Sequence, residues 1–289
     1  MDRILYDQPG DCFAPGLSTS PDAEGFRYMR EAGFFLAETG RGKREEAEAL
    51  DFSLIRRQAD AEGIRLRSFH LPFLPYPDVD LSPLDNAKRQ ENVDGMKALI
   101  EKGASIGIGL FVLHTSGHPI EDGERERRIE QALISLSDLA AFADGCGARI
   151  AVEDLSRTCL GRCGDEMLRL LSADDRLGVC FDTNHLLYED NFTFLKKVAG
   201  HIVTTHISDY DFVNQRHVMP GEGKIDWPAL LAALRETGYR GPLIYEASRV
   251  SNAHITRRAP VSPAQLRENY LTLMAGKQPE PIDTEIHFL

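Results

Sequence analysis

The sequence has no apolar run near the roughly 20 residues that a membrane-spanning helix requires. Residues 1–13 also lack the cationic segment followed by an apolar stretch that marks a secretory signal peptide. We therefore expect neither a membrane anchor nor secretion, and we expect the protein to work in the cytoplasm.

Cysteine is scarce, with five residues scattered along 289. Cys159 and Cys163 are separated by three residues, and no second pair accompanies them, so zinc-finger spacing is missing. We expect all five thiols to be reduced and structural.

Basic residues are the scarcer charge: 33 Lys and Arg against 45 Asp and Glu give a net charge of −12. A surface that binds nucleic acid needs clustered cations to neutralise phosphates, so we expect no nucleic-acid partner. A small anionic substrate stays compatible with this charge, because one or two local arginines suffice for it.

Short apolar segments alternate with longer amphipathic ones, which is typical of parallel strands followed by helices. The length suits one (β/α)₈ TIM barrel, which needs roughly 250 residues. We assign residues 1–275 to this barrel as the catalytic domain and residues 276–289 to a C-terminal tail. The predicted strands are 3–6, 33–38, 64–69, 109–114, 148–153, 177–182, 201–206 and 242–246. The clearest predicted helices are 44–62, 85–105, 124–145, 162–172 and 227–237.

Chemically active side chains stand at or just after the ends of six predicted strands. They are His70, His114, Glu153, Asp182, His206 and Glu246. The carboxyl ends of all barrel strands open on one face, which carries the active site of TIM-barrel enzymes, so these residues should converge. Clustered carboxylates repel one another unless a cation compensates them. Oxygen ligands with one nitrogen suit Mn²⁺ best among the candidates, with Mg²⁺, Co²⁺ or Zn²⁺ as alternatives.

Seven motifs follow one another in order: FHLPF, LHTS, AVED, FDTNH, THISD, RHVMPGEGKIDW and LIYEAS. Together they resemble the xylose isomerase-like TIM-barrel superfamily over about residues 20–275. That superfamily holds sugar and sugar-phosphate isomerases, ketose 3-epimerases, inosose dehydratase and the endonuclease IV type of AP endonuclease.

The resemblance implies that Glu153, Asp182, His206 and Glu246 are metal ligands. It also implies that Glu153 and Glu246 are the catalytic pair, one removing a proton α to a carbonyl and the other returning it through an enediolate. His185 and Arg216 match substrate-binding positions of relatives.

The endonuclease branch has extra zinc ligands where His70, His114 and His217 stand here. Its DRH motif has aspartate where this chain has Gln215, which weakens a third metal site. We therefore expect the three histidines to bind substrate or a second metal. A purely structural role is the alternative for His70 and His114, and a solvated side chain in a polar loop is the alternative for Arg216 and His217. The ketose epimerases have a further glutamate that finds no clear match in LSRTC.

We thus expect a metal-dependent isomerase or epimerase of a sugar or sugar phosphate, acting on a small sugar or polyol as a homo-oligomer. An inosose-type dehydratase is the first alternative, and a zinc-dependent phosphodiesterase related to AP endonucleases is the second. A sugar-binding relative without turnover is the third. Arg249, three residues beyond Glu246, is a candidate for contact with a phosphate, but we expect it to be an exposed charge at the barrel rim.

Overall fold

The computed structural model describes residues 12–252 and 255–283, together with the backbone of residues 287 and 288. Eight parallel strands close into a barrel, each paired with its neighbours in chain order. They are β1 Pro15–Thr19, β2 Leu36–Gly40, β3 Arg65–His70, β4 Leu110–Leu113, β5 Arg149–Glu153, β6 Gly178–Asp182, β7 Ile202–Ile207 and β8 Leu243–Tyr245. The predicted single (β/α)₈ barrel is confirmed.

Helices alternate with these strands around the barrel. They are α1 Ala23–Ala32, α2 Arg44–Glu48, α3 Phe52–Glu62, α4 Asn86–Ser105, α5 Arg125–Gly145, α6 Gly164–Leu171, α7 Asn191–Lys197, α8 Trp227–Glu236 and α9 Pro263–Met274. A 3₁₀ turn, Asp122–Glu124, precedes α5. The segment predicted as one helix over 44–62 is two helices, because Asp51 accepts a hydrogen bond from the Leu54 amide and begins α3 as its N-cap.

The first barrel strand was not predicted. The segment predicted as a strand at 3–6 lies outside the described residues, and β1 takes the place between β2 and β8. Its sequence, PGLST, resembles a turn, but Gly16 is required by packing. A Cβ there would lie 2.3 Å from Ile244 Cδ1 and 2.9 Å from the Leu36 carbonyl oxygen.

The buried apolar residues form two clusters, one inside the barrel and one between the strands and the surrounding helices. Leu110, Val112, Ala151 and Cys180 form a small cluster of their own, whereas the residues between them pack with the large cluster that includes the helices. Alternate residues of a barrel strand point inward, so the small cluster fills the interior.

Residues after α9 return to the barrel. Gln278 accepts a hydrogen bond from the Trp227 amide at 3.0 Å and donates one to the Ile225 carbonyl at 3.1 Å. The strand β10 His287–Phe288 pairs with β9 Ile255–Thr256. The division into a domain of residues 1–275 and a tail of 276–289 remains a prediction. Among the described helices, none has the length and apolar character needed to cross a membrane.

Asp209 organises the long loop between β7 and α8. Its buried carboxylate accepts hydrogen bonds from the amides of Tyr210, Gly221 and Ile225 and from the indole nitrogen of Trp227, at 2.8–3.1 Å. One side chain therefore satisfies four donors and holds the loop that carries part of the site.

We expect Asp209→Ala to lower the free energy of unfolding by about 3 kcal/mol or more, because buried donors lose their acceptor. Asp226→Ala is the control, since it removes the α8 N-cap, which costs about 1 kcal/mol. Urea denaturation followed by circular dichroism measures both. Equal losses in the two variants would contradict the role given to Asp209.

Candidate metal centre and active site

Strand alternation explains why polar side chains meet inside the barrel mouth. Glu153 ends β5 and Asp182 ends β6. Each lies two residues after a member of the interior cluster, Ala151 and Cys180 respectively. Each therefore points inward, at the carboxyl end where the barrel opens.

His206 lies at the centre of this cluster and is fully buried. Its Nδ1 atom is 3.1 Å from Glu153 Oε1, 3.3 Å from Glu246 Oε2 and 3.9 Å from Asp182 Oδ2. One ligand atom from each of these four residues lies within 4.8 Å of the others. The four residues that the resemblance implies as ligands are thus brought together.

The donor set fits a divalent cation. Three carboxylates and one imidazole supply hard oxygens and a single nitrogen, the ligands suited to Mn²⁺, Mg²⁺, Co²⁺ or Zn²⁺. The Oδ2 atom of Asp182 is buried without a hydrogen-bond donor. Buried anionic oxygens need a donor or a cation, so this atom is suited to coordination.

Proton affinities in the cluster reflect the crowding of acids. Burial raises the pKa of Glu246 to about 8, and the negative charges of Glu153 and Asp182 add to the rise. Burial and the charge of Glu153 likewise raise the pKa of Asp182 to about 7. Burial opposes ionisation of Glu153 too, but the charge of His206 and hydrogen bonds from the surrounding histidines hold its pKa well below the usual range.

His70 and His114 both contact the second oxygen of Glu153. Their Nε2 atoms are 3.0 and 3.1 Å from Glu153 Oε2. His70 Nδ1 lies 2.8 Å from the Leu71 carbonyl oxygen. Burial lowers the pKa of His70, but the hydrogen bond and charge of Glu153 outweigh it and raise the pKa to about 9. With both nitrogens donating, His70 has no lone pair for a metal unless it loses a proton.

His114 differs from its neighbour. Burial lowers its pKa to about 4 in spite of Glu153, so it is neutral at physiological pH. His70, Glu153 and His206 form a second group with ligand atoms within 4.8 Å. Because Glu153 and His206 belong to both groups, a second ion would share ligands with the first.

His185 and His217 lie edge to face, with ring centroids 5.4 Å apart. His185 Nδ1 is 2.8 Å from the Asp154 carbonyl oxygen and 3.4 Å from Glu153 Oε1. His217 Nδ1 is 3.9 Å from Glu246 Oε2. Burial, with His185 beside it, lowers the pKa of His217 to about 3. Both rings therefore flank the two glutamates.

Arg216 is held away from the metal cluster. Its guanidinium pairs with Asp211 at 2.8 Å, and it is not among the described residues that line the cavity. The backbone amides of Arg216 and His217 both donate to Asn184 Oδ1, at 3.0 and 3.1 Å. The substrate-binding role of Arg216 remains a prediction.

Glu38 is a functional candidate that sequence reasoning missed. It lies within β2, fully buried, with Oε1 2.7 Å from His206 Nε2 and Oε2 accepting a 2.8 Å hydrogen bond from Ser68. A carboxylate on the outer nitrogen of a metal-ligating histidine orients the ring and raises its basicity. Its sequence signal is the one that marked the other site residues, since Glu38 closes the predicted strand 33–38, GFFLAE.

The mouth contains a cavity of about 570 Å³. Six predicted residues line it: His70, His114, Glu153, His185, His217 and Glu246. Phe73 and Tyr76 line it too and were not predicted. Phe73 stacks on His114 with centroids 4.4 Å apart, and Tyr76 Oη is 3.4 Å from His114 Nδ1. An apolar wall facing polar groups suits a small sugar-like ligand.

Gln215, the departure from the endonuclease motif, also lines the cavity. Its side-chain amide donates a hydrogen bond to Ser156 Oγ. Gln215 therefore forms part of the cavity wall, and its amide does not supply the carboxylate ligand that an aspartate would supply.

Comparisons with known proteins agree with this fold. Residues 26–269 match the family described as xylose isomerase-like TIM barrel. The protein y4fM of Sinorhizobium fredii is 30% identical over 166 residues, which cover 55% of this chain and 53% of that one. The inosose dehydratase of Clostridium perfringens is 24% identical over 245 residues, covering 76% and 80%. The match to y4fM thus spans about half the length of that relative.

Solved structures share the whole architecture at low identity. An L-ribulose 3-epimerase superposes with a TM-score of 0.76 at 20% identity, covering 91% of this chain and 94% of that one. A D-psicose 3-epimerase crystallised in the presence of D-fructose gives 0.72 at 16% identity, covering 91% and 97%.

Metal binding should depend steeply on pH. Coordination needs Glu246 and Asp182 as carboxylates, but their pKa values are raised to about 8 and about 7. It also needs a free lone pair on His206. Burial lowers the pKa of His206, but Cys180 and the surrounding glutamates outweigh burial and raise that pKa well above its usual value. At lower pH protons must leave as the metal binds, so affinity falls with falling pH. We expect the Kd for Mn²⁺ to rise at least on the order of 10²- to 10³-fold from pH 8 to pH 6, the factor that the two carboxylates alone give. Calorimetric titration at three pH values measures it, and a constant Kd would contradict the site.

Glu38→Gln should weaken Mn²⁺ binding about 10- to 100-fold, because the amide no longer supports His206 as a carboxylate does. Ser68→Ala is the matched control: it removes one hydrogen bond to Glu38 but leaves its charge. We expect a much smaller change there. Equal effects of the two substitutions would mean that Glu38 acts through packing alone.

Proposed function

The chain belongs to the xylose isomerase-like TIM-barrel family, and from that premise we propose that it is a divalent-metal-dependent isomerase or epimerase of a sugar or sugar phosphate. One observation carries the proposal. Two glutamates, Glu153 and Glu246, line the same cavity and belong to the same group of candidate metal ligands. Such a pair can move a proton at a carbon beside a carbonyl.

Glu153, Asp182, His206 and Glu246 would hold the metal, with Mn²⁺ favoured by the donor set. When bound, such an ion polarises a carbonyl or hydroxyl and makes the adjacent C–H more acidic. The side chains of the cavity would transfer the protons and position the substrate.

Glu153 and Glu246 stand at the ends of β5 and β8, three strands apart in the barrel of eight. They therefore approach the cavity from different sides. One removes the proton from the substrate carbon to form an enediolate, and the other returns a proton. Return to the opposite face of the same carbon gives epimerisation, whereas return to the neighbouring carbon gives isomerisation.

The histidines around the glutamates position the substrate. His114 and His217 are neutral and can donate to or accept from a sugar hydroxyl. His185 lies beside Glu153 and can do the same. His70 donates to Glu153 and keeps that carboxylate oriented. Arg216 would need to leave Asp211 to reach a ligand.

A dehydratase is the second candidate, supported by the similarity to inosose dehydratase over 76% of this chain. The same proton abstraction, followed by loss of a β-hydroxyl instead of reprotonation, gives water and a dehydrated ketone. Only the product separates the two reactions, since they begin with the same step.

Glu153→Gln and Glu246→Gln should each lower turnover by at least about 10³-fold, since general acid–base catalysis contributes up to about 10⁴. Glu121→Gln, on the exposed surface, is the matched control and should keep full activity. The measurement is a screen of ketoses and keto-polyols in D₂O, with deuterium incorporation followed by NMR. Full activity in either glutamate variant would refute the catalytic pair.

Mass spectrometry of the products separates the candidates. An unchanged mass, apart from deuterium, supports the isomerase or epimerase, and the loss of one water supports the dehydratase. More than one tightly bound zinc per chain, with nicking of abasic DNA, would instead support a phosphodiesterase.

A further inference from the structure

A second cavity, of about 370 Å³, adjoins the candidate metal centre on the side of β1, β2 and β8. Four residues line both cavities, so the two are neighbours along one mouth: Ser18, His70, Phe73 and Glu246. The other walls of the second cavity differ in character from the metal cluster, because they carry hydroxyls, glycines and two arginines. These are Thr19, Ser20, Gly40, Arg41, Gly42 and Arg249.

Arg249 is fixed in place instead of extending into solvent as expected. Its guanidinium lies 4.1 Å from the ring centroid of Tyr28, with Nη2 3.5 Å from Thr19 Oγ1. The Tyr28 hydroxyl donates to the Val261 carbonyl, and the Val261 amide donates to the Arg249 carbonyl, both at 2.8 Å. Stacking on an aromatic face orients a guanidinium while its N–H groups stay available.

The charge of Arg249 is not neutralised by a carboxylate within ion-pair distance, as far as the described residues show. Arg41, the second cation of this cavity, has only a 3.8 Å pairing with Asp22. Asp22 also serves as the N-cap of α1, accepting from the Gly25 amide. Arg41 and Arg249 thus bring two positive charges to one cavity in a chain of net charge −12.

The remaining wall suits the oxygens of an anion. The hydroxyl groups of Ser18, Thr19 and Ser20 can donate hydrogen bonds. Arginine forms paired hydrogen bonds with phosphate or carboxylate oxygens, and these are stronger than bonds between neutral groups. Gly40 lets β2 approach β3 closely beside this cavity, because a Cβ there would lie 2.5 Å from the His70 carbonyl oxygen.

We propose that the cavity between Arg41 and Arg249 binds an anionic group of the substrate, a phosphate or a carboxylate, while the reacting carbons lie between Glu153 and Glu246. The assignment rests on the proposed function only in taking this anion to be part of the substrate. Anion binding itself follows from the two arginines and can be measured without turnover.

Calorimetric titration with inorganic phosphate and with acetate tests anion binding on the full chain. Arg249→Gln should weaken binding of the preferred anion at least tenfold, and Arg41→Gln should weaken it by a smaller factor. Arg27→Gln is the matched control: it removes the same charge from helix α1, beside Tyr28 in sequence, and Arg27 is exposed and pairs with Glu62. Circular dichroism and thermal unfolding of each variant exclude loss of the fold.

Turnover distinguishes the source of the anion. With matched ketoses bearing a terminal hydroxyl, phosphate or carboxylate, Arg249→Gln should raise KM for one anionic substrate tenfold or more and leave the neutral one unchanged. If wild type, Arg249→Gln and Arg27→Gln all bound phosphate with the same affinity, and likewise acetate, the anion site would be refuted and the isomerase proposal would stay intact. If anion binding depended on Arg249 but no ketose were turned over, the anion site would be supported and the isomerase proposal contradicted.

Discussion

The arrangement of the site depends on one constraint: several carboxylates lie close together in a place that little water reaches. Three carboxylates of the cluster approach one imidazole inside the barrel mouth, with Glu153 and Asp182 fully buried. Without compensation such groups take up protons, as the raised pKa values of Asp182 and Glu246 indicate. A divalent cation at the candidate site would compensate the repulsion, and the cost of the cluster in stability would then become binding energy for the ion.

The surroundings of the cluster are arranged in support of it. Glu38 contacts the outer nitrogen of His206, and His70 and His114 contact the outer oxygen of Glu153. Asp154 orders the neighbouring strand end by accepting from the Asp182 amide at 2.8 Å. These contacts come from four different strands, so the barrel itself holds the ligand atoms in position. Beyond them, Arg41 and Arg249 bring positive charge to the cavity that adjoins the cluster.

Sequence reasoning succeeded where strand alternation and strand ends carry the information. Polar residues that close apolar segments predicted that Glu153, Asp182 and His206 converge, and their ligand atoms do lie within 4.8 Å of one another. It failed at β1, because the glycine that lets β1 approach β2 and β8 gives the segment the composition of a turn. It also missed Glu38, although Glu38 closes the predicted strand 33–38, because no quoted motif includes this residue.

The sequence by itself determined the alternation of strands and helices, the chemical nature of the candidate ligand set and the strand ends that carry it, because hydrophobic periodicity and strand ends are local properties. Only the tertiary structure decided which atoms meet: Glu38 with His206, Arg216 with Asp211, and Arg249 with Tyr28. These partners stand 168, 5 and 221 residues apart, by subtraction of their numbers. Two of the three contacts join distant segments, and the third depends on the path of one loop. Neither follows from a local pattern, because loop conformation and barrel closure arise from the packing of the whole chain.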